Sequence, residues 1–223
     1  MELKNKINIF CGHYGSGKTN VAVGVARHIK NQGNSVSVYD LDIVNPYFRT
    51  ADAKDELEKE GISLIASAFS GSNVDIPLIT AENNLIFEKD EYAILDLGGD
   101  DRGALALGTF RDKLLKTDYS LFMVVNKFRP ETSTIQGVKE IKDEIERIVG
   151  LKITGFVNNG NLMNLTDDSV VLDGEQFTIE ASKKLGVPYA FTTVKQDLFD
   201  SLKDKIENLV PIRLIKYNDG GIR

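Results

Sequence analysis

The sequence has little of what disulfide-linked and membrane-spanning proteins contain. Its 223 residues include one cysteine, no tryptophan and five prolines. The lone cysteine, Cys11, excludes an intramolecular disulfide and has no neighbouring ligands for a structural metal, which agrees with a reducing compartment. The longest apolar runs are strand-sized and fall short of the roughly 18 residues that a membrane span needs. These absences predict a soluble protein without membrane association.

Targeting signals and clustered basic charge are also missing. The N-terminal stretch MELKNKINIF lacks a charged region followed by an apolar core and a cleavage site, so we expect a cytoplasmic location. The net charge of −6 argues against nucleic acid as a partner, because affinity for phosphate backbones comes from clustered Lys and Arg. No Pro/Gly/Ser-rich linker and no internal repeat interrupts the chain, which predicts a single domain over residues 1–223.

Short apolar runs alternate with stretches of helical periodicity. The clearest helices are predicted over Thr19–Asn31 and Gln136–Val149, the second with a capping box from Ser133 and Gln136 and a stop at Gly150. The alternation predicts a three-layer α/β/α fold with a mostly parallel, doubly wound sheet, whose ligands bind at the carboxyl ends of the strands. The predicted strands are Ile7–Cys11, Val36–Asp42, Ile62–Ser67, Tyr92–Gly99, Tyr119–Val125, Lys152–Asn159 and Pro188–Thr193.

A phosphate-binding motif follows the first predicted strand. The stretch GHYGSGKT, residues 12–19, matches G-x-x-x-x-G-K-[ST], which a chain of this length matches by chance about once in a hundred. In a P-loop of this kind, main-chain amides surround phosphate oxygens at the positive end of a helix, Lys18 reaches the β and γ phosphates, and Thr19 binds Mg²⁺. The predicted nucleotide-binding residues here are Gly12, His13, Gly15, Ser16, Gly17, Lys18, Thr19 and Asn20.

Acidic residues at two later strand ends predict a metal site at the same edge. Asp40 ends one predicted strand, and Asp42 follows it, where a carboxylate can orient an attacking water or hold the outer shell of the metal. Turn chemistry is the alternative explanation for both. Asp96 ends the apolar strand YAILDL, as a Walker B carboxylate does. The predicted catalytic residues are Lys18 and Asp42, and the predicted metal ligands are Thr19, Asp40, Asp42 and Asp96.

The base preference depends on two asparagines. The stretch NKFR, residues 126–129, is similar to the N-K-x-D of GTP-binding proteins, but Arg129 stands where guanine requires a carboxylate. A later predicted strand ends in Asn158 and Asn159, whose amides complement adenine by both donating and accepting. This pattern favours ATP over GTP. An ordinary strand-to-loop turn is the alternative.

The order of these motifs resembles the deviant Walker A ATPases of the MinD and ParA (SIMIBI) class, which also contains the nitrogenase iron protein and CobQ/CobB-type enzymes. The resemblance covers nearly the whole chain and is carried by GHYGSGKT, VSVYDLD, ILDLGG, and VNN followed by LGVPYAFTTV. It implies an ATP-dependent switch that dimerises face to face over two nucleotides. It also implies that Asp42 positions the hydrolytic water, Asp40 supports the metal, Asn158 or Asn159 contacts adenine, and backbone after Pro188 closes over the base.

His13 departs from that class, in which the second loop position is a signature lysine that reaches the partner's phosphates. A neutral imidazole stabilises phosphate less than lysine does. Four explanations remain open: His13 is protonated beside phosphate, a basic residue such as Arg49 or Arg102 substitutes, dimerisation is not catalytic, or His13 is a solvent-exposed loop residue.

The sequence therefore predicts a slow Mg²⁺-dependent ATPase, with ATP or ADP bound, that acts as a switch or loader for an unidentified protein partner or as a nucleotide-dependent homodimer. The alternative is a small-molecule kinase or ATP-dependent ligase of the CobQ/CobB or dethiobiotin-synthetase type. A nucleotide-binding module without turnover is the third reading. Near the C-terminus, Pro211 and two glycines argue against a membrane-anchoring amphipathic helix.

Overall fold

The computed structural model describes residues 1, 3–41, 53–66, 86–88, 90–98, 107–108 and 110–215. In these residues, eight parallel strands form one sheet in the order β3-β2-β4-β1-β5-β6-β7-β8. The strands are β1 (Ile7–Cys11), β2 (Val36–Leu41), β3 (Ser63–Ala66), β4 (Tyr92–Leu97), β5 (Tyr119–Val125), β6 (Gly155–Asn158), β7 (Tyr189–Lys195) and β8 (Leu209–Ile212). Within the described ranges, the helices of four residues or more are α1 (Lys18–Asn31), α2 (Lys54–Lys59), α3 (Arg111–Leu114), α4 (Ile135–Val149), α5 (Asp168–Leu185) and α6 (Phe199–Leu202).

The sheet contains every strand that the sequence predicts and one more. β1 and β5 have the predicted bounds. β8 was not predicted, because Pro211 interrupts its apolar run. Proline cannot donate to a strand ladder, so it is tolerated only at a sheet edge or a bulge, and β8 is the edge strand beside β7.

Alternate residues of each strand point to opposite layers of the fold. In β1, Ile7, Ile9 and Cys11 pack in a core with residues of α3, α4 and α5, whereas Phe10 packs in the core that contains α1 and α2. This period of two is the geometry of a pleated strand that is covered on both faces. The predicted three-layer α/β/α arrangement is therefore confirmed.

Helix α1 is buried along most of its length. Ten of its 14 residues are buried. A Cβ atom on Gly24 would lie only 2.2 Å from Cγ2 of Ile212, so β8 packs directly against the helix. Because α1 is tightly enclosed, its N-terminal end is held in a fixed place relative to the sheet.

The caps of α4 correct one prediction and confirm another. The N-cap is Thr134, whose hydroxyl accepts from the Gly137 amide at 3.1 Å, and not Ser133, whose hydroxyl donates to the Pro130 carbonyl at 2.8 Å. Gly150 ends the helix as predicted, with a left-handed φ of 70°. Among the described helices, none has the length and apolar character that crossing a bilayer requires.

Candidate nucleotide-binding site

The loop between β1 and α1 has a conformation that favours glycine at three positions. Gly12, Gly15 and Gly17 have φ angles of 150°, 76° and 86°. A Cβ atom on Gly12 would lie 2.8 Å from the carbonyl oxygen of Val124, and one on Gly17 would lie 2.3 Å from Nδ2 of Asn159. Positive φ and close packing together explain the glycines of the motif. The loop forms the tight cradle that phosphate binding requires.

Side chains from the neighbouring strand ends hold two carbonyl groups of this loop. Asn159 follows β6 and donates from Nδ2 to the Ser16 carbonyl at 2.8 Å, while its Oδ1 accepts from the Thr193 hydroxyl at 2.9 Å. Arg129, in the loop after β5, donates from Nε to the Gly15 carbonyl at 2.9 Å. These bonds fix the loop before any ligand binds, which lowers the conformational cost of binding.

Lys18 and Thr19 lie buried at the start of α1, with relative exposures of 5% and 7%. A cation is unfavourable at the positive end of a helix dipole, by about 0.3–1 kcal/mol in exposed cases. An anion bound beside Lys18 makes the arrangement favourable, because the ammonium and the positive end of the helix both attract it. Burial of Lys18 here is therefore a feature of an anion site.

Two predicted metal-binding carboxylates lie next to each other in the sheet. Asp40 of β2 pairs in register with Asp96 of β4, and both side chains are buried, at 4% and 0% exposure. Their flanking residues pack in the core of α4 and α5, so by alternation both carboxylates face the layer of α1.

Together with Thr19, these two carboxylates are a set of hard oxygen donors that suits Mg²⁺. In the described ranges, no group of three or more His, Cys, Asp or Glu side chains could hold a metal by itself. Mg²⁺ usually takes only one or two carboxylates and completes its shell with water and substrate phosphates. Asp42, the fourth predicted ligand, lies outside the described residues.

His13 lies on the rim of the loop. Its Nδ1 is 3.0 Å from the Tyr14 carbonyl oxygen and 3.7 Å from Oε2 of Glu131, and its side chain is 32% exposed. Arg49 and Arg102, the predicted substitutes for a signature lysine, lie outside the described residues. The basic side chain that the structure brings to the loop is Arg129, which the sequence did not single out as a phosphate ligand.

Three predicted nucleotide contacts are placed elsewhere. Asn158 is fully buried, where its Nδ2 donates to the Val171 carbonyl and the Thr192 hydroxyl. Asn20 accepts at Oδ1 from the Ile215 amide at 2.9 Å, so it joins α1 to the segment after β8. Pro188 lies just before the N-terminal end of β7, whereas the P-loop lies at the edge of the sheet where the strands end. The length of β7, at about 3.3 Å per residue, therefore separates Pro188 from that edge by roughly 20 Å. The structure does not bring Pro188 to the site.

The thiol of Cys11 lies directly before the loop. Its rate of alkylation should therefore report on whether this part of the fold opens. Burial raises the pKa of this thiol to about 12, against an opposing effect from Lys18, and the side chain is 1% exposed. Because the thiolate is the reactive form, alkylation at pH 8 should be negligible until the protein unfolds. Mass spectrometry after iodoacetamide treatment with and without urea measures this. Rapid labelling of the folded protein would contradict the buried position.

Comparison with known proteins places this site in a family. Residues 9–163 match the CbiA family, described as the CobQ/CobB/MinD/ParA nucleotide binding domain. No curated protein matches the chain by sequence.

Solved structures share the fold at low sequence identity. The cell division protein FtsY from Thermotoga maritima is 19% identical with a TM-score of 0.59, and the match covers 85% of this chain and 62% of that one. FtsY from Mycoplasma mycoides is 16% identical with a TM-score of 0.56, covering 87% and 63%. A nucleotide-binding protein in complex with ADP from Archaeoglobus fulgidus is 16% identical with a TM-score of 0.51, covering 87% and 84%. The chain thus spans less than two thirds of these FtsY proteins.

The matched segment includes the P-loop, both buried carboxylates and Asn159, and it covers well over half of the 223 residues. The structural match with the ADP-bound Archaeoglobus protein covers most of this chain and most of that one. The chain therefore belongs to the CobQ/CobB/MinD/ParA nucleotide-binding domain family.

Proposed function

We propose that this protein binds MgATP at the P-loop, hydrolyses it slowly, and uses the difference between the ATP and ADP states to switch or load a protein partner. The observation that carries the proposal is the buried Lys18 at the start of α1, directly after a loop whose three glycines have positive φ. That combination is suited to a polyphosphate, because the loop amides and the ammonium can all donate to its oxygens.

The residues of the candidate site have distinct roles in this proposal. Main-chain amides of the loop and the Lys18 ammonium bind and orient the phosphates. Thr19, Asp40 and Asp96 supply oxygens for Mg²⁺, which when bound neutralises charge on the phosphate oxygens. Asp42 orients the attacking water in this proposal, a role that follows from the resemblance to the family.

Adenine is the proposed base. The chain has no N-K-x-D sequence at residues 126–129, since Arg129 replaces the carboxylate that would bind guanine. The Archaeoglobus protein of the same fold is in complex with ADP. Of the two predicted asparagines, Asn159 is the candidate base contact, because its Nδ2 reaches the P-loop at the Ser16 carbonyl, whereas Asn158 bonds to Val171 and Thr192. The Asn159 amide also accepts from the Thr193 hydroxyl, so contact with adenine requires it to exchange one of these partners.

Calorimetry and phosphate release test the proposal together. MgATP and MgADP should bind with affinities at least about 10-fold higher than that of MgGTP, since a base site that discriminates by hydrogen bonds gains more than 1.4 kcal/mol. Phosphate should be released slowly from ATP without any added acceptor. If ADP formed only when a metabolite acceptor was present, the kinase or ligase alternative would replace the ATPase. Binding without turnover would reduce the protein to a nucleotide-binding module.

The switch requires a second measurement. Light scattering of the protein with ADP and with a non-hydrolysable ATP analogue should show different assembly states, or different affinity for a co-purified protein. An assembly state and a partner affinity that are both indifferent to the nucleotide would contradict the switch while leaving the ATPase intact.

A further inference from the structure

A cationic side chain from a distant part of the chain lies on the P-loop. Nε of Arg129 donates to the Gly15 carbonyl at 2.9 Å. A Cβ atom on Gly15 would lie 3.4 Å from both Nε and Cζ of Arg129 and 3.7 Å from Nη2. The guanidinium therefore packs over the bare Cα of this glycine, at a distance where a Cβ atom would be in van der Waals contact with it.

The loop that carries Arg129 is held firmly in place. Asn126, at 1% exposure, accepts at Oδ1 from the Phe128 amide at 3.1 Å, and its Nδ2 donates to the Asn161 carbonyl at 3.1 Å. The buried hydroxyl of Thr132 donates to the Asn126 carbonyl at 2.6 Å. Pro130 follows Arg129 directly and begins a short 3-10 helix. A guanidinium on such a loop is preorganised, so little entropy is lost when it binds a ligand.

The Nη groups of Arg129 remain for a ligand. Within the described part of the chain, the side chain of Arg129 makes one hydrogen bond, through Nε, and no carboxylate lies at ion-pair distance from its guanidinium. Glu131, the nearby acid, is 3.7 Å from Nδ1 of His13. A guanidinium keeps its charge at all ordinary pH values and can hold two phosphate oxygens at once. The guanidinium of Arg129 therefore supplies a permanent positive charge at the P-loop, which an uncharged imidazole at position 13 does not supply.

We propose that Arg129 is a built-in arginine that binds the terminal phosphate of ATP and stabilises the charge that develops during hydrolysis. The terminal phosphate carries about two negative charges, more than either inner one, so a second cation at the loop rim acts most strongly on it. Lys18 reaches the β and γ phosphates from the helix side. Arg129 approaches from the β5 side, as an arginine finger supplied by the same chain. This inference rests on the proposed ATPase function.

The test compares Arg129→Ala and Arg129→Lys with the wild type in MgATP binding, MgADP binding and single-turnover hydrolysis. Arg129→Ala should slow hydrolysis by about 30-fold or more, a conservative value for an arginine finger. MgATP affinity should fall by about 10-fold and MgADP affinity by less than about 3-fold, because ADP lacks the phosphate that Arg129 contacts. Arg129→Lys should restore part of the ATP affinity and little of the rate, since lysine lacks the planar fork.

Arg147→Ala is the matched control, because Arg147 is an exposed arginine on α4 and should leave all three measurements unchanged. If Arg129→Ala weakened ATP and ADP binding equally, Arg129 would only brace the loop and the inference would be overturned. No change in either would overturn it as well. If the wild type bound ATP without hydrolysing it, the ATPase proposal would fail, yet the ratio of ATP to ADP affinity would still decide the role of Arg129. Should the alanine variant not fold, Arg129→Lys gives the same comparison.

Discussion

Replacing Lys18 with alanine is expected to weaken MgATP binding by about 100-fold or more and to remove measurable hydrolysis, while the protein stays folded. Lys18 is 5% exposed and lies at the N-terminus of α1, so its ammonium meets the phosphates away from bulk water. An ion pair is stronger in such a place than at the surface. Its loss removes charge stabilisation from both the bound substrate and the transition state.

Calorimetry with MgATP and a phosphate-release assay measure the two effects, and circular dichroism confirms the fold. Lys30→Ala is the control, because Lys30 lies in the last turn of the same helix, at the end opposite to the P-loop. Loss of Lys30 should cost at most about 1 kcal/mol of stability through the helix dipole and leave nucleotide affinity unchanged. A Lys18→Ala variant that hydrolyses ATP at the wild-type rate would remove the proposed function.

The elements that the sequence predicted well are those whose signals are local. The P-loop is a short motif between a strand and a helix, and the placement of Asp40 and Asp96 at one edge of the sheet follows from two parallel strands that both end there. Their pairing as direct neighbours depends on the strand order. The errors were also local in origin. Pro211 interrupts the apolar run of β8, and the capping-box pattern points to Ser133, whereas its neighbour Thr134 caps α4.

What the sequence could not predict is the contact between segments far apart in the chain. Arg129 and Gly15 are 114 residues apart, and Asn159 and Ser16 are 143 apart. Neither bond has a sequence signature, because each depends on which strands become neighbours in the sheet and how their following loops turn. The strand order itself is such a property: β1 lies between β4 and β5, which brings the loop after β5 to the P-loop.

Replacing Gly17 with alanine is expected to lower the free energy of unfolding by about 2–5 kcal/mol and to abolish nucleotide binding. Gly17 has a φ of 86°, which costs an L-residue about 1–2 kcal/mol. The new Cβ would lie 2.3 Å from Nδ2 of Asn159, and overpacking of this kind costs about 1–3 kcal/mol. Asn159 cannot simply move, because it is 5% exposed and its amide is bonded to both Ser16 and Thr193.

Gly33→Ala separates these two costs, because Gly33 has nearly the same φ, 87°, and a Cβ there would meet nothing within 4 Å. Urea unfolding should give Gly33→Ala a loss of about 1–2 kcal/mol and unchanged nucleotide affinity. The amount by which Gly17→Ala lowers the free energy of unfolding beyond the effect of Gly33→Ala measures the clash with Asn159. Adding Asn159→Ala to Gly17→Ala should recover about 1–3 kcal/mol relative to the sum of the single losses, because the clash is then absent. Equal losses for Gly17→Ala and Gly33→Ala would mean that Asn159 does not press on the P-loop, and its role in shaping the phosphate cradle would be refuted.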